Sequence, residues 1–152
     1  MYFPYLRGRQ FELIAIRELV EKSLLSDAII PIIEPVKLSS ALTKTMSIFG
    51  KSNRELGLVR NPLVGSMRKD LADEKNAKNK ERFHELLKSP NLLTVLYVDA
   101  NIAKTCSAVH SKGTNKTTIA TICSNQDAIP YFELVFTSEY PRFNFIYLNH
   151  FL

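Results

Sequence analysis

Apolar and polar positions alternate along the chain in two periods, and the switches between the periods mark out the elements. Runs of β-branched and aromatic residues predict strands at Tyr2 to Leu6, Ile29 to Ile33, Leu56 to Val59, Leu92 to Val98, Thr117 to Cys123 and Phe143 to Leu148. Between them, apolar residues recur at helical spacing. Phe11, Ile14, Ala15 and Leu19 form a stripe widened by Leu13, Ile16 and Val20, with Glu12, Arg17, Glu18, Glu21 and Lys22 on the wet side. Leu42, Met46 and Phe49 form a second stripe, started by Ser39 or Ser40 as N-cap and closed at Gly50. Phe83, Leu86 and Leu87 form a third, and Ile102, Ala103, Cys106 and Val109 a fourth that ends at Gly113. Phe132, Val135 and Phe136 form a fifth, capped by Ser124 or Asn125, with Pro130 tolerated only in the first turn. Pro31 has no N–H for a ladder, so it belongs at the start of its strand or on an edge. The polar stretch from Ser66 to Lys80 breaks the pattern and reads as a mobile surface excursion or a solvated helix start.

Strands that alternate with helices predict an α/β fold, a mainly parallel sheet of five to six βα units joined by right-handed crossovers. A partial (β/α) barrel is the closure expected, with an open doubly wound sheet as the alternative. The 152 residues make a single α/β domain. They fall short of the ~250 of a full barrel, and the chain stops just after a strand. The expectation is the N-terminal portion of a longer barrel-like protein. An incomplete barrel leaves a strand edge that invites self-association.

Composition narrows the class. Apolar residues make up 45% and charged residues 23%, which excludes a disordered chain. No apolar run approaches the ~20 residues of a membrane helix, and no secretory signal pattern stands at the start. With only Cys106 and Cys123, a disulfide framework is not expected, and a reducing, cytoplasmic setting is. The net charge of +5 permits binding to nucleic acid or another polyanion without requiring it. The basic segment from Arg68 to Arg82 also carries Asp70, Asp73, Glu74 and Glu81 and has no interleaved aromatics, so it reads as a solvated face rather than a nucleic-acid arm.

The opening Met1-Tyr2-Phe3-Pro4-Tyr5-Leu6-Arg7-Gly8-Arg9-Gln10-Phe11-Glu12-Leu13 is distinctive, as is Ile30-Pro31-Ile32-Ile33-Glu34-Pro35-Val36-Lys37. Together they resemble the bacterial "Beta protein" family, carried by prophages and other mobile elements. The resemblance runs best through Arg60-Asn61-Pro62 and weakens beyond. It implies a barrel-like fold, a chain that is the N-terminal part of a longer protein, and a role in phage–host conflict. It implies no reaction.

In parallel α/β folds, ligand sites form at the carboxyl ends of strands. The residues there are Arg7, Arg9, Glu34, Arg60, Asn61, Asp99, Asn101, Asn125, Asn149 and His150. Glu34 and Asp99 are the candidate catalytic carboxylates, each able to act as a general base. Arg7, Arg9, Arg60, Asn61 and His150 are the candidate ligand-binding residues, because a guanidinium fork suits phosphate or carboxylate. The competing reading makes Asp99, Asn101 and Asn125 helix caps and Arg7 the ion-pair partner of Glu34. Cys123 is a candidate nucleophile beside His150 or, more often for such a thiol, a packed side chain, and Cys106 falls on an apolar stripe. His84 reads as a surface or half-buried residue within a helix, and His110 lies near a helix end. Neither HExxH nor paired-histidine spacing occurs, so no metal is expected, and without GxGxxG or a Walker pattern no nucleotide cofactor is expected.

The leading functional expectation is a mobile-element protein that acts through a protein partner or self-association. The alternative is a barrel-type enzyme using Arg7, Glu34, Arg60 and Asp99 on an anionic substrate, and nucleic-acid binding comes third. The side chains decide: convergence on one pocket favours the enzyme, and engagement as caps and pairs favours a binding module.

Overall fold

The computed structural model describes residues 1–111 and 118–147. The expectations for Gly113, Thr117, Leu148, Asn149 and His150 lie outside them. The strands are β1 (Tyr5–Leu6), β2 (Ile32–Ile33), β3 (Leu56–Val59), β4 (Leu92–Tyr97), β5 (Ile119–Cys123) and β6 (Phe143–Ile146). The helices are α1 (Gln10–Glu21), α2 (Ser40–Lys51), α3 (Met67–Ala72), α4 (Ala77–Leu86), α5 (Ile102–His110) and α6 (Ala128–Val135), with a 3₁₀ turn at Glu74–Asn76. The fold is α/β with parallel strand pairing, as the alternation predicts. The chain forms two compact units: Met1–Leu58 with Pro62–Leu93, and Val59–Asn61 with the chain from Thr94 onward.

In the first unit β1 pairs with β2 and β2 with β3, all parallel. Prolines bound the two shortest strands, and Pro4 and Pro31 sit where only an acceptor is needed. The Pro4 carbonyl accepts the Ile32 N–H at 2.8 Å, and the Pro31 carbonyl accepts the Gly57 N–H at 2.8 Å. Pro31 thus stands immediately before its strand, although β2 lies between two neighbours. Leu13, Ile16, Leu42, Met46, Phe49, Leu56 and Leu58 are buried together in one core. Thr45, buried on α2, donates its hydroxyl to the Leu13 carbonyl of α1 at 3.2 Å and to the Ala41 carbonyl at 2.9 Å. Its one polar atom is satisfied within the helix pair.

Of the two readings of the stretch from Ser66 to Lys80, the helical one matches: it holds α3, the 3₁₀ turn and the start of α4. One apolar anchor and one carboxylate account for this. Met67 is buried, and Asp70 Oδ2 accepts the Leu38 N–H at 2.9 Å and the Ser66 hydroxyl at 3.0 Å. Helix α2 runs one residue past Gly50, and its turn uses Asn53 in the left-handed region at φ 52°.

In the second unit β4 pairs with β5 and β5 with β6, again parallel. Strand β5 is buried at every position and β4 at all but its first, as expected for strands covered on both faces. Leu96, Val98, Ile102, Cys106, Val109, Ile119 and Phe136 form this unit's core. Asp127 holds the N-cap position of α6 without a side-chain cap bond, so neither Ser124 nor Asn125 caps it. Among the described residues, no helix is long and apolar enough to cross a membrane.

Candidate functional site

The carboxyl ends of β1 and β2 converge on Glu34. The parallel register sets Leu6 beside Ile33, so one further step along each strand brings Arg7 to Glu34. Tyr5 lies two residues before Arg7, on the same face of a period-two strand. The Tyr5 hydroxyl donates to Glu34 Oε2, and Arg7 Nη1 donates to the same oxygen at 2.9 Å. The Leu63 N–H donates to Oε1 at 2.8 Å. Glu34 is wholly buried, whereas the Arg7 side chain remains 47% exposed. Both carboxylate oxygens are committed and sealed from water. The group clamps two strands and the segment after β3; it is not placed to take a proton from a substrate.

Two glycines allow this closure. Gly65 has φ 80°, and a Cβ there would lie 2.0 Å from the Val36 carbonyl oxygen, so only glycine lets the segment fold down over the end of β2. The Ser66 N–H then donates to the Val36 carbonyl at 2.7 Å. Gly8, at φ 62°, passes so close to Ile33 Cγ2 that a Cβ would meet it at 2.9 Å. Arg9 lies outside the cluster. It is exposed at the start of α1, where its backbone N–H donates to Glu12 Oε2 at 2.9 Å.

In the second unit Asn61 is buried and brackets Tyr97. Its Nδ2 donates to the Tyr97 carbonyl at 2.9 Å, and its Oδ1 accepts the Tyr97 N–H at 2.9 Å. The side chain extends the ladder that the Arg60 N–H makes with the Val95 carbonyl at 2.9 Å. Asn61 is therefore a structural bridge. Arg60 differs: its guanidinium is half-buried, burial pulls its pKa below the usual arginine range, and among the described residues no acceptor or carboxylate meets it. Asp99 is exposed, and its Oδ1 accepts the Asn101 N–H at 2.8 Å, shaping the turn into α5. Asn101 stands at the N-cap of that helix without a side-chain cap bond, and Asn125 is exposed before α6.

Cys123 is buried, and burial pushes its thiol pKa up, an effect its hydrogen bond to Asn144 partly offsets. Its Sγ donates to Asn144 Oδ1 at 3.6 Å, and the Thr121 hydroxyl reaches the same oxygen at 2.9 Å. A thiol with a raised pKa is a poor nucleophile, so the packed reading holds. Among the described residues, no three His, Cys, Asp or Glu side chains gather to hold a metal.

No family model, curated protein or solved structure matches the chain.

A surface that position along the chain did not single out lies on α6 and β6. Of the eight residues of α6, only Glu133 is charged. A helix apolar on nearly every side belongs in an interior. Yet Leu134 is 74% exposed and Ile146 51%, and Ile129, Tyr131 and Tyr140 are exposed beside them. Phe132 and Phe136 stack with ring centroids 5.0 Å apart. With Cys123, Ile129, Tyr140 and Ile146 they line a groove of about 520 Å³ in which, among the described residues, Glu133 is the only acidic or basic side chain.

Proposed function

We propose that the chain acts through protein–protein contact, with the α6–β6 face as its contact surface and a second copy of the chain as the occupant. The observation that carries this reading is a helix with a single charged residue whose Ile129, Tyr131 and Leu134 side chains are exposed. A second copy fits because α6 supplies both halves of a self-complementary contact. Leu134 and Tyr131 project from the helix, and Ile129, Phe132 and Phe136 line a groove beside it. A two-fold axis lets each copy seat its projecting residues in the other's groove. The catalytic reading is weaker, because Glu34 is sealed and Asp99 shapes a turn. In the mobile-element setting that the resemblance implies, the assembled chain would engage a further protein in phage–host conflict.

Sedimentation across a concentration series tests the contact. Wild type is expected as a dimer, and Leu134→Lys as a monomer with an unchanged circular dichroism spectrum. A wild type that remains monomeric throughout the series refutes self-association.

A second reading rests on Arg60. A partly desolvated guanidinium that meets no carboxylate among the described residues is suited to an anionic ligand at the strand ends. Phosphate would then raise the melting temperature of wild type and not that of Arg60→Gln.

A further inference from the structure

The outer faces of α1, α2 and α4 line a second, open cavity, of about 400 Å³, on the first unit. Lys44, Ser47, Ile48 and Lys51 fall at helical spacing on one side of α2, Arg17 and Glu21 face them from α1, and Arg82 from α4. Four cationic side chains thus line the cavity against one carboxylate, Glu21. The nearby acids are used elsewhere or stand at its margin: Glu18 pairs with Lys22 at 3.1 Å, and Glu85 meets Arg82 at 3.6 Å. Among the described residues, Arg17, Lys44 and Lys51 make no ion pair or hydrogen bond through their side chains. Like charges gathered this way repel one another until an anion lies between them.

The polar groups of the cavity suit such an anion. Ser47 is buried, and its Oγ accepts from Arg82 Nη2 at 3.2 Å, which fixes the guanidinium and leaves the hydroxyl proton to donate inward. Thr43 takes no part, because its hydroxyl donates to the Ser39 and Ser40 carbonyls at 3.5 and 3.3 Å. Among the described residues, Ile48 is the only apolar side chain in the lining, and no aromatic residue is there to stack on a base. The volume falls in the ~300–1,000 Å³ range of small-ligand sites. A cavity this polar offers little to a ligand's apolar surface and much to concentrated negative charge.

We infer that this cavity binds a small polyanion carrying two or more phosphoryl groups, held by Arg17, Lys44, Lys51 and Arg82 with the Ser47 hydroxyl as a neutral donor. Calorimetric titration with inorganic tripolyphosphate at low salt tests it on the full chain. Saturable one-to-one binding is expected. In the double variant Lys44→Gln/Lys51→Gln, two exposed side chains change, so the fold is kept, and affinity is expected to fall about tenfold. Glu21→Gln removes the opposing charge and is expected to tighten binding. Absence of binding in wild type, or equal binding in the double variant, overturns the inference. So does a duplex oligonucleotide that binds with a steep salt dependence through Lys44 and Lys51 while tripolyphosphate does not, because the face would then be a nucleic-acid surface.

Discussion

Glu34 and Asp99 stand at corresponding points of the repeat, each just past the carboxyl end of an apolar strand, and they meet opposite fates. Glu34 is fully buried, with donors from Tyr5, Arg7 and the Leu63 backbone. Asp99 stands in solvent, with the Asn101 N–H as its partner. Position at a strand end therefore does not decide what a carboxylate does. What decides is whether another segment can close over it. After β3 the chain returns over Glu34 because Gly65 adopts a left-handed conformation tight against Val36. A buried carboxylate must have all its lone pairs met, and an exposed one need not.

The contrast is broken most directly at Glu34. Glu34→Ala leaves the Tyr5 hydroxyl and the Leu63 N–H without their acceptor and frees Arg7. The loss expected is about 3 kcal/mol, held to the low end for a buried pair because Arg7 is half in water. Glu34→Gln keeps an acceptor, and its loss should be about half that. Urea midpoints with an unchanged denaturant slope would measure both. A neutral Glu34→Ala would mean that the clamp does not hold the unit together.

Asn61 gives the counterpart in the other unit. Asn61→Leu preserves bulk and removes both bonds to Tyr97, so a buried N–H and a buried carbonyl lose their partners. A loss of about 2–3 kcal/mol is expected. Hydrogen exchange sharpens the comparison: protection should fall at the Tyr97 amide in Asn61→Leu and at the Leu63 amide in Glu34→Ala. Equal loss at both amides in either variant would show that the two clusters open as one.

A smaller effect, confined to alkaline solution, is expected at Cys123. Burial raises its thiol pKa, so the folded chain keeps a proton that the unfolded chain releases. Its share of stability is whole below the unfolded thiol value of ~8.5 and is lost as pH rises above that toward the folded value. Stability measured from pH 7 upward should decline less steeply in Cys123→Ala than in wild type. Identical slopes would mean that the thiol is not sequestered.

The fold was more legible than the sites. Apolar runs located the described strands and period-3.6 patterning most helices, because parallel strands covered on both faces announce themselves as apolar runs. The helix at Met67–Ala72 was not legible, since a single buried methionine and a long-range bond from Asp70 to the Leu38 N–H fix it. The pairing of Arg7 with Glu34 follows from adjacent strand ends, and Tyr5 follows from its spacing to Arg7. The Leu63 N–H does not, because a backbone donor has no residue type to betray it. The cationic cavity went unread for a related reason. Lys44 and Lys51 look like an ordinary solvated helix face until Arg17 and Arg82 are set opposite them by packing.

The smallest expected effect completes the contrast. Asp99→Ala removes one hydrogen bond, at an exposed turn whose Asn101 N–H can turn to water instead. A turn carboxylate of this kind contributes about 0.5 kcal/mol or less. Its loss should fray the first turn of α5 without moving the urea midpoint by more than that amount. Exchange at the amides that open α5 would show it, with the amides of β4 unchanged. A loss approaching the one expected at Glu34 would place Asp99 in a satisfied network of its own, and the two strand ends would then differ in degree rather than in kind.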